Sequence, residues 1–139
     1  MGKYLSFLGG VLIVVASACG GSNKQTESGS QASAPASGED IYKRACASCH
    51  MGSGDGIANV YPPLAKSDYL ADREKTIHQV IKGSSGPMTV NGKEYNNTMP
   101  AQQLSDDEVA AVLTYVYTSM GNTGAPVTAA EVKAVREKP

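Results

Sequence analysis

Apolar and polar positions along the chain change period several times, and each change marks an element. Leu5 to Val15 is an apolar run broken only by Ser6, Gly9 and Gly10, whereas Gly20 to Gly38 carries no large apolar side chain. A helical period then sets in. Ile41, Tyr42 and Ala45 fall on one side of a helix that Ser37 or Gly38 would cap and that would run through Cys49. Glu39 and Asp40 occupy its first turn, where the helix dipole favours carboxylates. A second helix is predicted from Arg73 to Lys82, capped by Asp72, stopped by Gly83 and striped by Ile77, Val80 and Ile81. Ser105-Asp106-Asp107-Glu108 is a capping box that opens a third, with Val109, Val112, Leu113 and Val116 on its inner face. Thr128-Ala129-Ala130-Glu131 repeats the box ahead of Val132, Val135 and Arg136, predicting a short extra helix. Met88-Thr89-Val90 and Lys93-Glu94-Tyr95 flank Asn91-Gly92, the preferred chemistry of a two-residue hairpin turn.

Composition narrows what these elements can build. The 139 residues hold one domain at most. Their formal charge of −1, from 12 basic and 13 acidic residues, directs no strong field at nucleic acid, which is not an expected partner. From Glu39 onward the balance is 10 basic to 12 acidic, so no lysine-dominated docking face follows from totals. One Phe and no Trp leave few large groups for a core, and small cores usually need a disulfide, a metal or a cofactor. The three cysteines do not form a disulfide framework. Cys19 closes the apolar run, while Cys46 and Cys49 stand three apart and precede His50.

At the N-terminus, Lys3 and the run Leu5–Val15 have the make-up of a secretory signal, too short for the about 20 residues of a membrane span. Ala16-Ser17-Ala18 followed by Cys19-Gly20 resembles a bacterial lipoprotein signal, which implies cleavage after residue 18 and lipidation of Cys19. An ordinary signal with an incidental cysteine, or an uncleaved anchor, is the alternative; on each reading the domain is exported. Residues 19–38 read as a flexible tether rich in Gly, Ser and Ala, spanning roughly 25 Å root-mean-square.

Cys46-Ala47-Ser48-Cys49-His50 is the C-x-x-C-H pattern of covalent haem attachment. Two thiols one helical turn apart reach the vinyl groups on one haem edge, and the adjacent imidazole turns under the ring to the iron. Zinc would need two further ligands, and beyond these residues the exported part offers only His78, which lies off the apolar stripe of its helix and reads as solvated. A thioredoxin-like dithiol would want a β-α-β setting rather than a helix end before a Gly-rich loop. One covalently attached haem c is therefore expected.

From about Gly38 to its end the chain resembles the class I cytochromes c. Gly38, Ile41 and Tyr42 match that family's small residue and apolar-aromatic pair where the first helix crosses the last. Val112, Tyr115 and Val116 match the residues that pack against them. Pro62 and Leu64 match its Pro-x-Leu, which implies that the Pro62 carbonyl accepts a hydrogen bond from the haem histidine; a stiff turn at Pro62-Pro63 is the plainer reading. For the sixth ligand, Met51 lies too close to His50, and Met120 ends a helix. Met99, before Pro100 in a loop ahead of the Ser105 cap, and Met88, on the predicted hairpin, remain. The family places its axial methionine in such a Met-Pro loop, which implies the axial pair His50 and Met99 and leaves Met88 as the alternative. The run Gly86–Asn96 with Met99-Pro100-Ala101 is similar, more narrowly, to cytochrome c modules fused to copper nitrite reductases or oxygen reductases.

The resemblance implies an all-α class I fold of four to five helices around one haem, with one small hairpin. The expected organisation is a signal over 1–18, a lipidated tether over 19–38 and a haem domain over 39–139 ending in the extra helix. That protein is a monomeric electron carrier and not an enzyme. It would be lipid-anchored, with its haem domain in the periplasm or on the outer face of the cytoplasmic membrane, passing electrons from a quinol-oxidising complex to a terminal oxidase. A periplasmic reductase such as one for nitrite is the alternative acceptor, and a haem-based sensor the alternative class. The tyrosine and asparagines of the hairpin region are candidates for hydrogen bonds to haem carboxylates, or simply line a surface hairpin.

Overall fold

Ser37 accepts the Asp40 backbone N–H at 3.2 Å and so caps the first helix, α1 (Gly38–Ala45), in a computed structural model that describes residues 36–139. The expectations of a signal over 1–18, of lipidation at Cys19 and of most of the tether lie outside the described residues. The single helix expected through Cys49 is two. The helix is interrupted at Cys46, whose φ opens to −119 at ψ −37, and the chain restarts as α2 (Ala47–His50). The Cys49 and His50 N–H groups both converge on the Cys46 carbonyl, at 3.1 and 2.9 Å, so the ladder resets at that residue. Met51 then turns the chain out at φ 63.

A 3₁₀ turn that the sequence pattern did not announce spans Asp68–Ala71, and α3 (Arg73–Lys82) follows. Its ends are the predicted ones: the Asp72 carboxylate accepts the Lys75 N–H at 3.0 Å, and Gly83 stops it at φ 76. Strands β1 (Met88–Val90) and β2 (Lys93–Tyr95) pair antiparallel, Met88 opposite Tyr95 and Val90 opposite Lys93. Asn91 and Gly92 carry the two positive φ angles, 49 and 74, that a type I′ turn requires. Helices α4 (Asp106–Thr118) and α5 (Ala129–Arg136) each begin with a complete capping box, Ser105 with Glu108 and Thr128 with Glu131. In both boxes the backbone N–H of the cap residue donates to the glutamate and holds its carboxyl below the usual range. Five helices and one two-stranded sheet form the described part of the chain.

The core is built from the stripes legible in the sequence: Ile41 and Tyr42 of α1, Ile77 and Ile81 of α3, and Val109, Val112, Leu113 and Val116 of α4 are all buried. Helix α1 crosses α4 at Gly38, where a Cβ would run into the Ala111 carbonyl and reach Tyr115. The Tyr42 and Tyr115 rings meet beside it at 5.6 Å. Gly38→Val is expected to force the helices apart and lower stability by about 1–3 kcal/mol, as overpacking does. A urea midpoint equal to that of the unaltered protein would refute the close crossing.

Helix α5 folds back on the domain. Val132 and Val135 are buried beneath it. The Arg73 guanidinium donates to the Ala125 and Pro126 carbonyls, both at 2.8 Å, and lies 4.9 Å over the Tyr117 ring. Arg136 ties the far end to Asp106 at 2.7 Å and to the Leu104 carbonyl at 3.0 Å. The extra helix thus closes the side of α3 and α4 away from the cavity described next.

Candidate functional site

Between α2, α3, α4 and the hairpin lie two adjoining chambers of about 690 and 850 Å³, counted to their open mouths. Cys46, His50, Pro62, Gln79, Met88 and Met99 line both. Cys49 lines only the larger, outer one, whereas core residues Leu70, Val112 and Val116 line only the smaller, inner one. Both are free thiols. Burial, with a smaller contribution from Cys49, pushes the Cys46 thiol up to about 11, so it stays protonated at neutral pH.

His50 is 8% exposed, and its Nδ1 lies 2.9 Å from the Pro62 carbonyl. That carbonyl can only accept, so Nδ1 carries the proton and Nε2 keeps its lone pair. Burial moves the His50 pKa down, which favours the neutral ring that can ligate a metal; the Pro62 bond opposes this more weakly. The loop between them returns by way of Gly56 (φ 65), where a Cβ would lie 2.7 Å from the Pro62 oxygen. Only glycine permits that approach without strain. Gly56 N–H donates to the His50 carbonyl at 3.0 Å, so one turn braces both ends of the His50–Pro62 contact.

Met99 is held from behind. Its N–H and C=O pair with the C=O and N–H of Ser84, both at 2.9 Å, where the chain leaves α3. Its sulfur lies 3.7 Å from Gln79 Nε2, and the Met88 sulfur lies 4.0 Å from the same nitrogen. Tyr69 donates its hydroxyl proton to Gln79 Oε1, fixing which way the amide faces. Sequence reasoning missed Gln79 and Tyr69. The available signal was a second stripe on α3: Thr76, Gln79 and Val80 recur at helical spacing beside the core stripe and line the inner chamber.

The remaining candidates fall apart from this group. His78 is exposed on α3, and Met51 is 42% exposed. Met120 packs on the core near Gly54, outside both chambers. Asn97 donates to the Val60 carbonyl at 3.0 Å and Asn91 to the Lys66 carbonyl at 3.2 Å, so both are engaged by backbone. Buried Tyr95 lines the outer chamber.

The walls suit a flat apolar macrocycle with few polar edges. Those of the inner chamber are mostly Pro, Leu, Val and Met, and the two chambers together present two free thiols, one imidazole and the Met88 and Met99 sulfurs. Ser67 adds a hydroxyl that is buried and has no hydrogen-bond partner, a state costing about 1–3 kcal/mol unless something in the cavity satisfies it. Among the described residues no group of three or more His, Cys, Asp or Glu is placed to hold a bare metal ion. The residues fit a haem and not zinc.

Comparison with known proteins points the same way. The family model for cytochrome c matches residues 35–119, leaving α5 beyond the match. A cytochrome c-552 of Thermus thermophilus is 40% identical over 121 residues, covering 79% of this chain and 81% of that protein. Cytochrome c6 of Euglena gracilis is 31% identical over 96 residues, covering 65% of this chain and 98% of its own length. The cytochrome c subunit of a quinone alcohol dehydrogenase from Gluconacetobacter polyoxogenes is 33% identical over 119 residues, 79% of this chain but 24% of that longer subunit.

Proposed function

Because the chain belongs to the class I mono-haem cytochromes c and carries one covalently bound haem c, we propose that it is a membrane-tethered shuttle that passes single electrons from a quinol-oxidising complex to a terminal oxidase. When bound, the haem iron supplies a one-electron ferric–ferrous change. The protein supplies the rest. Cys46 and Cys49 would hold the haem as thioethers, each S–H adding across one vinyl group. His50 Nε2 and Met99 Sδ would hold the iron. Pro62 holds the imidazole in its tautomer and orientation. Apolar side chains from α3 and α4 exclude water, so the charge change at iron meets a fixed surrounding rather than a reorganising solvent.

The observation that carries this reading is that His50, braced at Pro62, and Met99, clamped at Ser84, line the same pair of chambers. With both residues holding the iron, no position would be left open for a gas or a peroxide, which favours a carrier over a sensor. Lipidation of Cys19, with the residue 19–38 tether, would keep the domain in the periplasm or on the outer face of the cytoplasmic membrane and raise its effective concentration near membrane complexes. The dehydrogenase cytochrome subunits among its relatives favour a second donor, a dehydrogenase. A periplasmic reductase such as one for nitrite stays the alternative acceptor.

Stopped-flow spectroscopy of the full chain with membranes from its own host tests the proposal. The ferric protein is expected to be reduced when quinol is supplied and reoxidised when oxygen is admitted, with slow carbon monoxide binding to the ferrous form. Reoxidation by nitrite alone would move the acceptor to a reductase. Rapid carbon monoxide binding without electron exchange would sink the carrier reading in favour of a sensor. Release of a Cys19→Ala variant from the membrane fraction is the expected sign of the lipid anchor; its retention there would refute that anchor.

A further inference from the structure

We propose that the Ser67 hydroxyl donates a hydrogen bond to a carboxylate side chain of the bound haem, and that the tip of the β1–β2 hairpin holds Ser67 in position for it. The inference rests on the assignment of the cavity to haem. Ser67 Oγ is the one buried side-chain oxygen or nitrogen without a partner among the described residues. The residue is 9% exposed and lines the inner chamber. Polar groups around it on that wall are already engaged. The Thr76 hydroxyl donates to the Asp72 carbonyl at 2.8 Å, and Gln102 Nε2 donates to the Pro100 carbonyl at 2.8 Å. Gln79 is held by Tyr69, and His50 Nδ1 by the Pro62 carbonyl. The rest of the wall is chiefly apolar, so the hydroxyl's partner must come from what enters the chamber.

The chemistry of a haem leaves one kind of acceptor. Its pyrrole nitrogens are bound to iron, its macrocycle is an apolar π face, and its vinyl groups are consumed by the thiols. Only the carboxylates accept a strong hydrogen bond from a neutral hydroxyl.

The backbone on both sides of Ser67 is pinned from the hairpin. Asn91 Nδ2 donates to the Lys66 carbonyl at 3.2 Å, Asn91 Oδ1 accepts the Asp68 N–H at 2.9 Å, and the Asn91 N–H donates to the Asp68 carboxylate at 2.7 Å. One exposed turn residue therefore fixes the residues before and after Ser67, while also supplying the first positive φ of the type I′ turn. This gives the hairpin a task that its exposed tip alone would not suggest.

Resonance Raman spectra of the matured full-length protein test the proposal through the bending bands of the haem carboxylates, which respond to hydrogen bonds at those groups. Ser67→Ala is expected to move one such band to lower frequency, with the axial-ligand and spin-state bands unchanged. Asn91→Gly keeps the turn geometry but deletes the side-chain clamp, and should move the same band the same way by less. A band unmoved in Ser67→Ala, with haem retained, would overturn the proposal and make an ordered water the hydroxyl's partner. If Ser67→Ala does not mature, the exposed Asn91→Gly decides alone: no movement there refutes it. Failure of the cavity assignment is read separately and first, as absence of a haem-stained band from the unaltered chain on a denaturing gel.

Discussion

Met99→Ala is expected to abolish the weak near-red band that a methionine sulfur gives with ferric iron and to lower the reduction potential by on the order of 0.1–0.3 V, part of the roughly 0.8 V over which axial ligands set haem potentials. The thioether favours ferrous iron, so its loss stabilises the ferric form and the potential falls. The geometry makes the expectation specific to this residue. Met99 is pinned through both backbone groups at Ser84, and its sulfur faces the Gln79 amide inside the cavity. Met88 is the residue to watch, since its sulfur lies 4.0 Å from that same amide nitrogen. A near-red band that survives in Met99→Ala and disappears only in a Met88→Ala variant would transfer the axial role to Met88. The spectrum and a potentiometric titration of the ferric and ferrous forms together decide it.

The second large effect concerns the two thiols. Replacing Cys46 and Cys49 together by alanine should eliminate haem that survives denaturation, while either single replacement leaves one thioether and a protein that still stains. Stability should fall with the double change. Most of the wall area of the chambers is apolar and would pack on the haem, so a cavity without it exposes that surface to water. The loss should exceed the about 2.7 kcal/mol that a native-state ligand supplies at one hundred times its dissociation constant. Haem staining of a denaturing gel and a thermal melt read the two effects. A stained band of undiminished intensity in the double variant would refute attachment at these cysteines.

What the residue pattern could and could not announce follows from the range of the interactions involved. The ends of α3 and α4 and the boxes at Ser105 and Thr128 are settled within three residues by a side chain and a backbone N–H, so they are legible in one dimension. The same holds for the Asn91-Gly92 turn, where two adjacent residues tolerate positive φ. The C-x-x-C-H run is legible because its chemistry demands fixed spacing. The break at Cys46 was not legible: residues 38–49 read as one amphipathic helix, and only the convergence of two N–H groups on one carbonyl divides them.

Helix α3 illustrates the other limit. Ile77, Val80 and Ile81 form one apolar stripe by period, yet Ile77 and Ile81 are buried in the core while half-buried Val80 lines the inner chamber. Hydrophobicity does not distinguish a neighbour made of protein from one made of cofactor.

The sequence alone determined the helices with their caps, the hairpin, the two-cysteine attachment pattern of a haem c and the shortlist of two methionines, because each rests on local geometry or on a fixed motif; the class I fold followed from the resemblance those motifs carry. The tertiary structure decided which groups converge. It brought the Pro62 carbonyl to His50 across a separation of twelve positions, set Ser84 behind Met99, turned Gln79 inward and drew Asn91 against both neighbours of Ser67. Those contacts join residues distant along the chain, and their positions depend on helix crossings that no single segment encodes.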